Sequence, residues 1–169
     1  MSQLAIDELH DRVRGIADDP ERWQPHVRHE ADGRVFVEIE RDDDASVWLI
    51  CWTQGHDTGF HDHAGSSGAV VVIAGEVEEQ RLRVGARTLS ARVRAGETFD
   101  FDGAAIHRVR HVGNEPTVTI HAYSPPLGAM GAYTVEPGGE LRRHYVEKDT
   151  ELKPLDTTEP AAAREALIG

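Results

Sequence analysis

A single cysteine, Cys51, is all the thiol in this 169-residue chain, so no internal disulfide can form. Lying between Ile50 and Trp52 in an apolar run, it reads as a buried structural thiol, and a reducing cytoplasm suits a chain without cross-links. Basic residues are scarce as well: 18 Lys and Arg stand against 30 Asp and Glu, a net charge of −12. Phosphate backbones are bound by clustered cations, so the balance argues against nucleic acid and against an anionic membrane surface as partners. No eighteen apolar residues run together, and the N-terminus carries acids where a signal peptide carries basic and then apolar residues. Internal repeats and low-complexity tracts are missing. The expectation is a cytoplasmic protein of one domain, residues 1–169, large enough to bury about 70 % of its unfolded surface.

What the chain does have is many short β-prone segments punctuated by Gly. Ile6, Leu9, Val13 and Ile16 recur at helical spacing, with Ser2 as the expected N-cap, and Asp18-Asp19-Pro20 ends that helix. A short helical or turn segment follows over residues 21–27. Strands are then expected at 34–41, 47–52, around His61 and His63, at 69–74, 76–84, 87–94, 98–101, 105–109 and 117–123, with a last hairpin around Pro137-Gly138-Gly139. The charge-rich 76–84 stretch reads as a solvated edge strand. This pattern describes an all-β sandwich or barrel with a helical preface over residues 1–30, the barrel over 34–147 and an extended, weakly packed arm over 148–169. A helical turn is expected within the arm at 161–167.

Ten histidines are present, and two of them frame the most informative stretch. His61 and His63 are one residue apart, and on an extended strand such residues share a face, so both imidazoles can reach one point. Neutral nitrogen donors converging in this way suit a transition metal. The pair is set in a frame of Gly55, five residues, His61-Asp62-His63, four residues, Gly68, six residues, Gly75. Downstream, Gly96, Gly103 and His107 form a looser second cluster. Thr119, His121 and Tyr123 alternate, and so share one strand face. His56 and His111 read as loop or solvent-facing residues, and His10, His26, His29 and His144 as surface.

The frame resembles the first cupin motif, with Gly68 where that motif has Glu, and Gly96, Gly103 and His107 resemble the second. The likeness extends through Cys51-Trp52, Gly55-His56, His61-Asp62-His63, His107-Arg108-Val109 and Ile120-His121-Ala122-Tyr123-Ser124-Pro125-Pro126, which are similar in order and kind to the cysteine dioxygenase family of thiol dioxygenases. It covers roughly residues 47–127. That resemblance implies a cupin double-stranded β-helix, or jelly roll, in which His61, His63 and His107 hold Fe(2+) without a carboxylate ligand. Three neutral ligands leave the divalent charge uncompensated and coordination positions open for an anionic thiolate and O2. It further implies a relay from Thr119 to His121 to Tyr123, with the phenol aimed at the reacting groups. The implied activity, part of sulfur metabolism, is oxidation of a small thiol or thione to a sulfinate.

Two departures from the family carry consequences. Gly68 also stands where mammalian members have the cysteine cross-linked to the active-site tyrosine, so Tyr123 is expected to be unmodified. The family's substrate-clamping arginine precedes the Cys-Trp strand. Counting back from Trp52 lands near Val35 or Val37, which leaves Arg34 and Arg41 a register step away. On that count free L-cysteine is disfavoured, and a larger thiol, a thiol amine or an ergothioneine-like thioimidazole is favoured. Two other readings stay open: a three-histidine cupin oxygenase acting on carbon, and a non-catalytic small-molecule or metal-binding cupin. The oligomeric state is not legible.

Overall fold

The computed structural model describes residues 2–83 and 85–155. Two antiparallel sheets face each other in a double-stranded β-helix. The first sheet contains β1 (Val35–Arg41), β2 (Ser46–Trp52), β4 (Ser67–Ala74), β7 (Thr98–Phe101) and β9 (Thr117–Ser124), in the spatial order β1-β2-β9-β4-β7. The second contains β3 (His61–Asp62), β5 (Glu76–Arg81), β6 (Leu89–Arg94), β8 (His107–His111), β10 (Ala129–Val135) and β11 (Leu141–Glu147), ordered β11-β10-β3-β8-β5-β6.

Alternation along the central strands of the first sheet sorts side chains into two environments. Val47, Leu49 and Cys51 of β2, Ala69 and Val71 of β4, and Val118, Ile120 and Ala122 of β9 turn outward. They are covered by Leu9, Val13 and Ile16 of helix α1 (Ile6–Ala17). Each fully buried aliphatic side chain there contributes about 1.5–3 kcal/mol. The opposite set, Trp48, Ile50 and Trp52 with Thr119, His121 and Tyr123, faces into the barrel, where several line a pocket. The apolar stripe of α1 thus seals the outside of the sheet that carries the polar inner face.

Three expectations change, and the expected helical or turn segment at 21–27 is given its form. Helix α1 starts at Ile6 with Ala5 as its N-cap, and the Glu8 carboxylate accepts the Ala5 N–H at 2.8 Å; Ser2 bonds Asp44 instead. The 21–27 segment is two short 3-10 turns, Pro20–Arg22 and Gln24–His26. Strand β5 is no edge: it lies between β8 and β6, and Glu79 is buried. The acids of β5 are paired rather than solvated, Glu78 with Arg110 of the neighbouring β8 and Glu79 with Arg81 of the same strand. The arm, finally, is not weakly packed over its described part. It crosses the pocket, and Leu152 is buried among Trp48, Leu127 and Met130. The helical turn expected at 161–167 lies outside the described residues.

The pairing of β1 with β2 shifts between Glu38 and Glu40, leaving Ile39 as an extra residue in a bulge. That single residue corrects the count used for the arginine. With Val35 opposite Cys51 on the outward face, Arg34 falls beside Trp52 on the inward one. Its guanidinium carbon lies 5.0 Å from the Trp52 ring centroid and Arg34 lines the pocket. Arg41 points elsewhere, donating to the Leu127 carbonyl at 2.7 Å.

Candidate metal centre

His61 and His107 are direct partners across the β3–β8 pairing. His63 lies just beyond the two-residue strand β3, yet its ring meets both others: centroids are 4.8 Å apart for His61 and His63, 4.7 Å for His61 and His107, and 5.0 Å for His63 and His107. One nitrogen from each lies within 4.8 Å of the others, and all three residues are buried. Nitrogens bound to one ion at about 2.1 Å sit roughly 3–3.5 Å apart, so small inward turns of the rings would close the set.

Each ring is held differently. His61 Nδ1 bonds the Gly59 carbonyl at 3.0 Å, and His107 Nδ1 bonds Glu79 Oε1 at 3.0 Å, which leaves Nε2 of both free. His63 Nδ1 is buried with no hydrogen-bond partner among the described residues. Its ring instead stacks on Phe101, with centroids 4.5 Å apart at 18°, and lies 5.0 Å from the Tyr123 ring. Between His61 and His63, Asp62 points the other way and anchors β3. Arg143 of β11 clamps it through two bonds of 2.7 and 2.9 Å, and Tyr133 of β10 donates at 2.5 Å. Burial alone would raise the Asp62 carboxyl, but those donors hold it well below the usual carboxylate range.

Burial keeps all four inner imidazoles neutral. It pushes His61 down to about 4 and His121 to about 3, each with Arg34 adding to the depression. His63 and His107 are pushed well below the ordinary value, by burial first and then by neighbouring imidazoles. Neutral imidazole is the ligating form. Three buried neutral nitrogens with no carboxylate among them, two oriented from behind and one left unpaired, fit a divalent transition metal. Binding there would give the unpaired set a partner, since leaving buried nitrogens unsatisfied is costly.

Two predictions follow from this arrangement. The metal-free protein should lose stability as pH falls below about 6.5. The unfolded chain takes up protons there while the folded imidazoles do not, at a cost of up to about 1.4 kcal/mol per group and pH unit. Urea midpoints of the metal-free protein measured from pH 7 to 5 should fall steadily, and added metal should raise them at every pH. Glu79→Gln keeps an acceptor for His107 but removes the carboxylate charge. It should weaken metal affinity about tenfold or more, read by competition with a chelator of known affinity.

Across the pocket, Thr119, His121 and Tyr123 form a buried hydrogen-bonded chain, with Thr119 Oγ1 to His121 Nε2 at 2.7 Å and His121 Nδ1 to Tyr123 Oη at 3.3 Å. Its far end is Trp52, whose Nε1–H donates to Thr119 Oγ1 at 2.9 Å. Indole nitrogen is only a donor, which leaves the Thr119 proton available to His121, and with that proton so placed the chain runs one way. Thr119 accepts from Trp52 and donates to His121 Nε2. His121 then carries its proton on Nδ1 and donates to Tyr123, which leaves the phenol's own proton for the pocket. Burial raises the Tyr123 phenol above its ordinary value, so the proton stays on.

Gly68 pairs with Tyr123 across β4 and β9. A Cβ at Gly68 would come within 2.2 Å of Phe101 Cζ. The Phe101 ring therefore occupies the space that a side chain at this position would need. Gly68→Ala should destabilise the fold by about 1–3 kcal/mol, measured by urea denaturation, because Phe101 is wedged against His63 and His107.

The family model described as cysteine dioxygenase type I matches residues 2–136. The chain belongs to that family. Among curated relatives, cysteine dioxygenase type 1 of Rattus norvegicus is 28 % identical over 149 residues, covering 80 % of this chain and 73 % of its own length. The Homo sapiens protein of the same name is 20 % identical over 146 residues, with the same coverage. Among solved structures, a conserved protein with a double-stranded β-helix domain from Klebsiella pneumoniae superposes with a TM-score of 0.56 at 18 % identity, covering 63 % of this chain and 84 % of that one. An oxalate oxidase superposes at 0.54 with 20 % identity, covering 64 % and 60 %. These structural likenesses establish the cupin-type double-stranded β-helix. Within this cysteine dioxygenase-like chain, His61, His63, His107, His121 and Tyr123 line one pocket, and Thr119 lies behind His121. Sequence reasoning missed Glu79 behind His107 and Trp52 at the head of the relay. It misplaced Arg34. No helix among the described residues is long and apolar enough to cross a membrane.

Proposed function

We propose that this protein is a mononuclear iron(II) thiol dioxygenase acting on a small thiol that carries a carboxylate, with L-cysteine the first substrate to test. The observation that carries the reading is a pocket with three buried neutral imidazoles on one side, the directed Trp52–Thr119–His121–Tyr123 chain on the other, and a buried arginine at its edge. The curated relatives named cysteine dioxygenase type 1 support it. Fe(2+), held by His61, His63 and His107, would bring the thiolate and O2 together and supply the redox chemistry by which RSH and O2 become RSO2− and H+.

The chain's own residues do the rest. Tyr123 Oη–H is aimed into the pocket and kept protonated, so it donates to negative charge developing on the oxygen or sulfur atoms. His121 fixes the phenol from behind, and Thr119 and Trp52 fix His121. Trp48, Ile50, Leu127 and Met130 give the cavity apolar walls that exclude water from the reacting groups. The inward placement of Arg34 removes the register objection to L-cysteine, because a guanidinium is the side chain suited to a carboxylate. Thiols without a carboxylate, including thioimidazoles, would lack that anchor.

The test is oxygen uptake by anaerobically iron-loaded protein with L-cysteine, 3-mercaptopropionate, cysteamine and ergothioneine, with mass spectrometry of the products. A gain of two oxygen atoms on a carboxylate thiol supports the reading. No uptake with any of the four rejects it in favour of a carbon-directed or non-catalytic cupin.

A further inference from the structure

The cavity at the candidate metal centre has a volume of about 60 Å³, whereas ligand pockets usually run to several hundred. Displacing one wall would enlarge it. Most walls are strands inside the two sheets, but one is the segment following β11, in which Lys148, Thr150, Glu151 and Leu152 line the cavity without belonging to a strand. This segment lies beyond residue 136, where the match to the family model ends.

Its attachments among the described residues run along its length. At one end Lys148 Nζ lies 5.5 Å from the Trp48 ring centroid. At the other Pro154 rests on Gly59, so closely that a Cβ on that glycine would lie 2.8 Å from Pro154 Cα. Between them Leu152 inserts its side chain into the apolar wall. The Arg34 guanidinium donates to the Leu152 carbonyl through Nη2 and to the Asp57 carbonyl through Nη1 at 2.9 Å. Glu151 Oε1 accepts the Arg34 backbone N–H at 2.8 Å and lies 3.9 Å from Nη1. The Arg34 side chain is only 4 % exposed. The cation proposed to anchor substrate is thus already latched to the segment that narrows the cavity.

Resting on the thiol dioxygenase reading above, we propose that residues 148–154 form a displaceable strap whose Glu151 and Leu152 carbonyl compete with the substrate carboxylate for Arg34. The strap thereby selects thiols that carry a carboxylate. A ligand shifts a conformational equilibrium only by its differential affinity for the two states. A carboxylate supplies that difference, because it offers the guanidinium two parallel bonds and an opposite charge where the Leu152 carbonyl offers one bond and no charge. A carboxylate-free thiol has nothing to exchange for the Leu152 carbonyl, and meets the strap closed. Glu151 sets the threshold, since its negative charge stabilises the latched state.

L-cysteine and cysteamine differ by the carboxylate alone, which makes them the probes. Hydrogen exchange of the strap, followed by mass spectrometry on anaerobic iron-loaded full-length protein, should speed up severalfold with L-cysteine and stay at the ligand-free rate with cysteamine. Glu151→Gln keeps the acceptor for the Arg34 N–H and removes the charge. It should lower KM for L-cysteine by about fivefold and change KM for cysteamine less than twofold. Leu152→Ala should raise strap exchange in the ligand-free protein. Equal exchange with both thiols overturns the proposal, as does a Glu151→Gln effect that is absent or the same for both. If L-cysteine opens the strap but no thiol consumes oxygen, the reaction assignment has failed and the strap stands.

Discussion

Protein carrying His107→Ala will hold no stoichiometric metal after anaerobic Fe(2+) loading and dialysis, while the unsubstituted chain holds close to one ion. His107 is the member of the set whose contribution is best defined, because β8 pairs it directly with His61 and Glu79 fixes its ring. Losing it leaves two neutral donors and no anionic ligand, so nothing in the first coordination sphere compensates the divalent charge. The loss should therefore exceed the 10–100-fold typical of removing a ligand's outer partner. His111→Ala is the control on the same strand. His111 bonds the Glu115 carbonyl at 2.8 Å and is not among the three converging histidines, so its removal should leave metal content unchanged. Metal content by atomic emission, with circular dichroism to confirm the fold, reads both variants. Near-stoichiometric iron in His107→Ala would break the three-histidine assignment.

The residues that were legible in the sequence are those governed by local alternation. His61 and His63, or Thr119, His121 and Tyr123, need only the two-residue period of a strand to be placed on one face, and the buried side chains of β2, β4 and β9 follow the same rule. Arg34 was not legible because one bulged residue, Ile39, reverses the face of everything before it in β1, and nothing in the surrounding run of Val, Ile and Glu marks where a bulge occurs. Glu79 was hidden by its own strand. A segment reading Glu-Val-Glu-Glu-Gln-Arg has the composition of an exposed edge, and only the neighbours β6 and β8 make it interior. The one local signal was the spacing of Glu79 and Arg81, since opposite charges two apart on a strand share a face and can pair there. Leu152 was illegible for a different reason. Its burial depends on contacts with Trp48 and Arg34, more than a hundred residues away in sequence, which no periodicity encodes.

Tyr123→Phe will bind metal as the unsubstituted protein does and yet turn over about a hundredfold or more slowly, the scale of effect that a positioned proton donor has. The separation of the two effects follows from where the phenol sits. Its hydroxyl is the last member of the chain from Trp52, bonded to His121 and not to any of the three converging histidines, while its ring lies against His63. Phenylalanine keeps that ring packing and so keeps the His63 orientation, and removes only the oxygen. Because His121 Nδ1–H loses its acceptor, a modest fall in stability accompanies the change, but metal affinity should stay within about twofold of the original by the same chelator competition. The pH profile offers a further check. With the phenol held above its ordinary value by burial, the unsubstituted enzyme should show no loss of activity from tyrosine ionisation through pH 9, so an alkaline limb near there would point to another group. Loss of metal in Tyr123→Phe would mean that the phenol holds the ion rather than facing it, and normal turnover would mean that the Trp52–Thr119–His121–Tyr123 chain is structural.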